Sequence, residues 1–209
     1  ALAVRRCIIT CLVLLCSACG RLGDGHDDAA RTDYLRFGDP AVERFCRETL
    51  DLDGDGRISR YEAERIVRMD CSGWGIASLG EISDFRNLQR LDCSDNELTR
   101  LDVGSCPRLV ALDCSGNSIS WLDVEGLALL TELDCRDNLL SSLDLRGDTS
   151  LSTLECGGNT LRTLDVSGCA TTMERVDTQS NPLLETLYKG AAQEIRVLSV
   201  NSHTDVVSL

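Results

Sequence analysis

Apolar residues recur along the middle of the chain in the spacing L-x-x-L-x-C-x-x-N-x-L, first complete from Leu88 to Leu98. Leu91-Asp92-Cys93 returns as Leu112-Asp113-Cys114, Leu133-Asp134-Cys135 and Leu154-Glu155-Cys156, each 21 residues after the last. Leu101-Asp102-Val103 keeps the same step through Leu122-Asp123-Val124, Leu143-Asp144-Leu145 and Leu164-Asp165-Val166. Alternation within each triplet is the signature of a short strand: Leu91 and Cys93 share one face and Asp92 takes the other. Leu88 and Leu98 close the apolar side. Asn96, Asn117, Asn138 and Asn159 fall where the chain must leave the strand, and a short amide can bond the backbone there.

Two triplets locked to one period predict one structural unit stacked on itself. The pattern resembles leucine-rich repeats, whose periods run from about 20 to 29 residues. At 21 residues it is similar to the short bacterial type, whose return path is extended or 3₁₀ with no full helix. The resemblance implies an α/β repeat fold, a leucine-rich repeat solenoid with a short parallel sheet.

Before the repeats, Asp51-Leu52-Asp53-Gly54-Asp55-Gly56-Arg57-Ile58-Ser59-Arg60-Tyr61-Glu62 follows the spacing of an EF-hand calcium loop. Calcium takes six to eight oxygens. The expected donors are Asp51, Asp53 and Asp55, the backbone carbonyl of Arg57, Ser59 directly or through water, and a bidentate Glu62. Gly56 stands where such a loop turns sharply. On the flanks, Pro40 to Leu50 places Val42, Phe45 and Cys46 on one helical face, and a second helix is expected over 59–68. With no linker before Met69-Asp70-Cys71, the EF-hand is expected to cap the front of the solenoid, since a repeat array must cover its apolar ends.

The N-terminus reads as processing signal. Arg5-Arg6, the apolar run through Leu15 and the small pair Ser17-Ala18 precede Cys19, which resembles a lipobox with Cys16 where Leu is usual. The expectation is lipidation on Cys19, attachment to a bacterial outer membrane by that anchor alone, and display at the cell surface. Residues 1–19 are then signal peptide, 20–32 an acidic tether, 33–68 the EF-hand cap, 69–189 the repeats and 190–209 a C-terminal cap.

Charge and cysteine content narrow the chemistry. A net charge of −13 and a pI near 4.5 exclude nucleic acid as a partner, because phosphates need a basic surface. An aromatic content of 4% argues against a rich stacking surface for sugars. Of the 12 cysteines, Cys71, Cys93, Cys114, Cys135 and Cys156 recur at the inward repeat position. In-register strands lie farther apart than the Cβ separation of about 3.8 Å in a disulfide, so a buried thiol ladder is expected. Zinc is disfavoured because His26 and His203 lie in the tether and the tail.

Asp70, Asp92, Asp113, Asp134, Glu155 and Asp177 occupy the outward position beside that ladder, on the concave sheet. Two readings stand: an electronegative strip that takes a cationic partner, or a row neutralised by Arg90, Arg136 and nearby hydroxyls. A second series, Asp102, Asp123, Asp144 and Asp165, should cap turns on the return side. The order of lipobox, tether, calcium loop and repeats is similar to surface leucine-rich repeat lipoproteins, internalin-like in the broad sense. That implies non-catalytic recognition of a protein or host-surface ligand, with calcium as cofactor. The alternative is an accessory protein capturing glycans for an outer-membrane uptake system.

Overall fold

The computed structural model describes residues 33–209. From Arg68 onward the chain coils as a stack in which each turn adds one strand to a parallel sheet. Strands β1 (Arg68–Asp70), β2 (Arg90–Asp92), β4 (Ala111–Asp113), β6 (Glu132–Asp134), β7 (Thr153–Glu155), β9 (Thr172–Asp177) and β11 (Glu194–Ser199) lie side by side in that order. Pairing is in register: Met69, Leu91, Leu112, Leu133, Leu154, Val176 and Leu198 form one inward row. The period seen in the sequence is therefore the hydrogen-bond register of the sheet.

A second, broken row of strands returns on the other side. β3 (Arg100–Asp102) pairs with β5 (Trp121–Asp123), and β8 (Thr163–Asp165) with β10 (Thr186–Lys189) and β12 (Asp205–Ser208). Residues 190–209, expected as a C-terminal cap, take the form of one more turn at the end of the sheet, with Val206 in register with Leu187 and Leu198 with Val176. The solenoid thus has seven turns by its main sheet, one beyond the six strands that the period alone suggests.

The interior is aliphatic, as the low aromatic content requires. The leucines of both rows are buried apart from the half-buried Leu143 and the exposed Leu198 of the last turn, and burial of each such side chain stabilises by roughly 1.5–3 kcal/mol. Asn96, Asn117, Asn138 and Asn159 do more than turn the chain. In Asn138, Nδ2 donates to the carbonyls of Cys135 and Arg136 in its own turn and to Cys114 in the turn before, while Oδ1 accepts from Ile119 N. Asn96, Asn117, Asn159 and Asn181 repeat the arrangement, so one side chain per coil stitches neighbouring coils together.

The residue before each of these asparagines takes a left-handed backbone, with aspartate and glycine alternating at Asp95, Gly116, Asp137 and Gly158. Crowding explains the alternation. A Cβ on Gly158 would lie 2.3 Å from Asp137 Oδ1 and 3.1 Å from its backbone nitrogen. On the opposite side of each coil, the row Phe85, Cys106, Leu127, Asp148 and Cys169 faces inward at the same 21-residue step. Asp148 is the one carboxylate in it: fully buried, with Oδ1 accepting from Leu127 N and Oδ2 without a hydrogen-bond partner.

Helix α1 (Pro40–Thr49) covers the front end. Asp39 is its N-cap, accepting from Ala41 N, and Pro40 suits the first helical position because its missing N–H is not needed there. Oδ2 of Asp39 also accepts from the Ala77 and Ser78 amides, which fastens the helix start to the first coil. Val42, Phe45 and Cys46 are buried as expected, and Phe45 meets Trp74 edge-on at 5.2 Å. Cys46 thereby extends the thiol ladder forward.

The second helix is much shorter than the sequence suggests. α2 spans only Arg60–Ala63, and a tight turn follows. The reason lies in the sheet: Val67 O accepts from Gln89 N and Arg90 N, so the chain must already be extended before β1. Register with β2 overrides helix propensity over residues 64–68.

Candidate functional site: an acidic front loop and a carboxylate-lined sheet

The loop between α1 and α2 is shaped by its own carboxylates. Asp51 accepts from Gly54 N (2.7 Å) and Gly56 N (2.8 Å), and Asp53 and Asp55 accept from Asp55 N and Arg57 N. Gly54 and Gly56 have φ of +77° and +83°, a region open to glycine at little cost. The Gly56 amide, more than any other contact, holds the Asp51 carboxyl below the usual carboxylate range; desolvation opposes it and the Gly54 amide assists. Tyr34 donates its hydroxyl to Asp55 Oδ2 at 2.8 Å, and that bond pushes the phenol up.

Asp51, Asp53 and Asp55 each offer an oxygen within 4.8 Å of the others. Two ligands of one calcium ion, each at 2.3–2.6 Å, stand at most about 5.2 Å apart, so this trio fits a shared ion. Glu62 is placed differently. It is buried, with Oε1 accepting from Leu52 N (2.8 Å) and Oε2 from Ser59 N and Ser59 Oγ. Ser59 Oγ in turn accepts from Glu62 N, which completes a capping box at the start of α2. The structure therefore gathers three of the expected donors and uses Ser59 and Glu62 to tie the two ends of the loop. Arg57 lays its guanidinium over the Tyr34 ring, 3.8 Å from the centroid.

On the sheet, all six outward carboxylates occupy one row, in register from Asp70 to Asp177. Their surroundings divide the row in two. Asp70, Asp92 and Asp113 each accept from the hydroxyl and amide two residues on, at Ser72, Ser94 and Ser115. Among the described residues no arginine pairs with these three. Burial pushes the Asp113 carboxyl up, the Ser115 bonds pull it down, and Asp134 and Asp92 add to the rise. Farther along, Arg136 bridges Asp134 and Glu155 (2.6 and 3.2 Å), and Arg175 bridges Glu155 and Asp177 (3.3 and 2.8 Å).

Neutralisation thus holds for half of the row. Arg90, expected to take part, reaches across to Glu132 at 3.6 Å instead. Arg175 was missed by sequence reasoning because the sixth repeat is degenerate, although its position two residues before Asp177 was the available signal. The return series behaves as expected: Asp102, Asp123, Asp144 and Asp165 each accept from the amide two residues on.

The periodic thiols are all buried and unpaired, as is Cys46. Burial pushes Cys71 up to about 12 and raises Cys93, Cys114 and Cys135 well above the ordinary thiol range, the reverse of what a nucleophilic thiol requires. The signal segment, Cys19 and the tether lie outside the described residues.

The leucine-rich repeats family, in two copies, matches residues 86–129. The functional domain of internalin J from Listeria monocytogenes is 26% identical over 79% of this chain, with a TM-score of 0.61. The fold is a leucine-rich-repeat solenoid similar in form to that domain. Internalin J is described as including a cysteine ladder, and this solenoid carries its own from Cys71 to Cys156. The chain covers 38% of the internalin J structure. Internalin F and internalin C2 of the same bacterium are 18% and 20% identical, each over 83% of this chain, with TM-scores of 0.49 and 0.45. The chain covers 65% and 94% of those two structures. Comparison with curated proteins finds no match. Among the described residues of the solenoid, no helix is long and apolar enough to cross a membrane.

Proposed function

We propose that this solenoid is a non-catalytic recognition module, held at the outer surface of a bacterial outer membrane by a lipid on Cys19 and steadied at its front by calcium. The observation that carries the recognition reading is the outward face of the sheet, where side chains stand in register across the strands with Asp70, Asp92 and Asp113 free of arginine. A protein or host-surface ligand bearing lysine or arginine would complete those carboxylates, and charge complementarity of this kind speeds and orients encounter more than it adds affinity.

Calcium is the cofactor, held by Asp51, Asp53 and Asp55 with the Arg57 carbonyl, Ser59 and Glu62 completing the set on rearrangement of the capping box. Its chemistry is structural: it screens three converging carboxylates that would otherwise repel. The EF-hand reading of residues 33–68 rests on this loop and on α1, not on the length of α2.

Two experiments test the proposal. Capture of surface partners is compared between the native protein and an Asp70→Asn/Asp92→Asn/Asp113→Asn variant; unchanged capture would remove the sheet face from the account. Terbium, a calcium surrogate, is added while Tyr34 is excited, since that ring touches Asp55; luminescence should appear and be displaced by calcium. Binding to a glycan array with no protein captured would favour the uptake-accessory reading. Metabolic labelling with a fatty-acid analogue, absent in Cys19→Ala, tests the anchor.

A further inference from the structure

Beside the acidic loop lies a cleft of about 300 Å³ whose lining includes Arg36, Arg47 and Arg57, with Leu35, Phe37 and Ile58 beneath. Three separate segments build it. The arm at residues 33–37 runs antiparallel to the loop exit through the Tyr34–Ser59 bridge, with Leu35 N donating to Ile58 O at 2.7 Å. Leu35 and Phe37 pack toward the core, so the alternate residues Tyr34 and Arg36 face outward. Arg47 comes from α1, one turn after Glu43, which also lines the cleft. Arg57 comes from the loop and is steadied on Tyr34.

Pairing separates these arginines from those beside the carboxylate row, although among the described residues Arg68 in β1 and Arg100 in β3 form no ion pair either. Arg90, Arg136, Arg146, Arg175 and Arg196 are each ion-paired to carboxylates, as an acidic protein readily allows. Among the described residues, Arg36, Arg47 and Arg57 form no ion pair. Even Glu43, one helical turn from Arg47, does not pair with it. A chain of net charge −13 has thus kept three cations together around one hollow.

We propose that this cleft binds a small organic oxyanion, a carboxylate or phosphate ester on a sugar-sized body. Guanidinium groups are weakly hydrated and match the geometry of such oxyanions in a two-point fashion. The volume lies at the lower end of the range for small-molecule sites, about 300–1,000 Å³, which suits one ring. Leu35, Phe37 and Ile58 offer an apolar floor to the ring, and Glu43 can accept from its hydroxyls. The site is separate from the sheet face; Arg36 and Arg47 lie outside the acidic loop, whereas Gly56, Arg57 and Ile58 belong to it.

The test is titration of the ¹⁵N-labelled protein with glucuronate, glucose 6-phosphate and inorganic phosphate, with glucose as the neutral control. Each is run in calcium and in chelator. Saturable shifts confined to residues 35–37, 43–47 and 56–58 are expected with at least one of the two sugar anions and not with glucose. Arg47→Ala and Arg36→Ala should each weaken binding about tenfold, which is about 1.4 kcal/mol, and Arg162→Ala, an exposed arginine elsewhere, should leave it unchanged. Thermal midpoints of the variants show whether they remain folded. The proposal is overturned by an absence of saturable shifts in both conditions, by shifts scattered over other exposed arginines, by saturation with inorganic phosphate alone, or by binding indifferent to Arg36 and Arg47. A failed terbium experiment beside saturable anion binding would remove calcium and leave the cleft.

Discussion

The front of the molecule and its repeat body solve the same problem, backbone amides outside helix and sheet that need partners, in opposite ways. In the body each coil carries its own solution: an asparagine amide donates and accepts at once, and the next coil repeats it. At the front, carboxylates do the work. Asp39 fastens α1, Glu62 ties the loop ends, and Asp51, Asp53 and Asp55 accept from loop amides while crowding one another. An amide satisfies donors and acceptors without charge; converging carboxylates satisfy donors and accumulate repulsion. The body is therefore self-sufficient, whereas the front carries a repulsion that the proposed cation would relieve.

The largest effect that tests this contrast is in the body. Asn138→Ala strands the Ile119 amide and carbonyls of two coils, and unmet buried groups cost roughly 1–3 kcal/mol each. A loss of about 3–5 kcal/mol is expected in denaturant unfolding, against about 1 kcal/mol for the half-buried Asn87→Ala, which gives up a single bond to the Glu64 carbonyl. Equal losses would mean that the coils are not stitched by these side chains.

Asp148 sharpens the comparison from within the body, because it puts a carboxylate where the other coils have apolar groups. Burial pushes it up to about 6; the Leu127 amide pulls it down, and Asp144, Glu125 and Asp123 add to the rise. A carboxyl raised from about 3.9 in the unfolded chain binds its proton more tightly when folded. Its contribution to stability is therefore full below about pH 4 and is lost as pH climbs through about 6. Asp148→Asn should raise stability at pH 7.5 by about 2 kcal/mol and gain little at pH 4. Stability curves of the two proteins that stay parallel across this range would show that Asp148 is not buried as a charge.

The smallest effect belongs to the sheet surface. Asp92→Asn should shift stability by no more than about 0.5 kcal/mol, since its bonds to Ser94 are local and partly solvated. A partner's association rate should fall in the same variant, with the deficit shrinking as salt rises.

Much of the body was legible because the sequence repeats its own register. Leu91, Cys93 and Asp92 announced which side faces in, and the structure places all their equivalents accordingly. The reach of each asparagine into the preceding coil was not legible from one repeat, since it depends on the distance between coils. Its companion signal, the alternation of Asp95, Gly116, Asp137 and Gly158, stood in the sequence at the same period. Asp148 could also have been found by following the row of Cys106 and Cys169, which passes through it. At the front, helical propensity over residues 64–68 misled because strand pairing at Val67 is a contact with residues more than 20 positions away. The last turn was legible as a strand-like run closing the sheet but not as a full repeat, because the leucine of its return strand gives way to Val206.

Hydrogen exchange with and without calcium tests the contrast between the two regions most directly. Added calcium should slow exchange of the Gly54, Gly56, Arg57 and Ser59 amides and of α1 by roughly tenfold or more at saturation, as ligand linkage requires. The amides of Cys93, Cys114 and Cys135 in the body should keep their rates. Protection that fails to change at the front, or that rises equally along the whole solenoid, would contradict a cation-dependent front on a self-sufficient body.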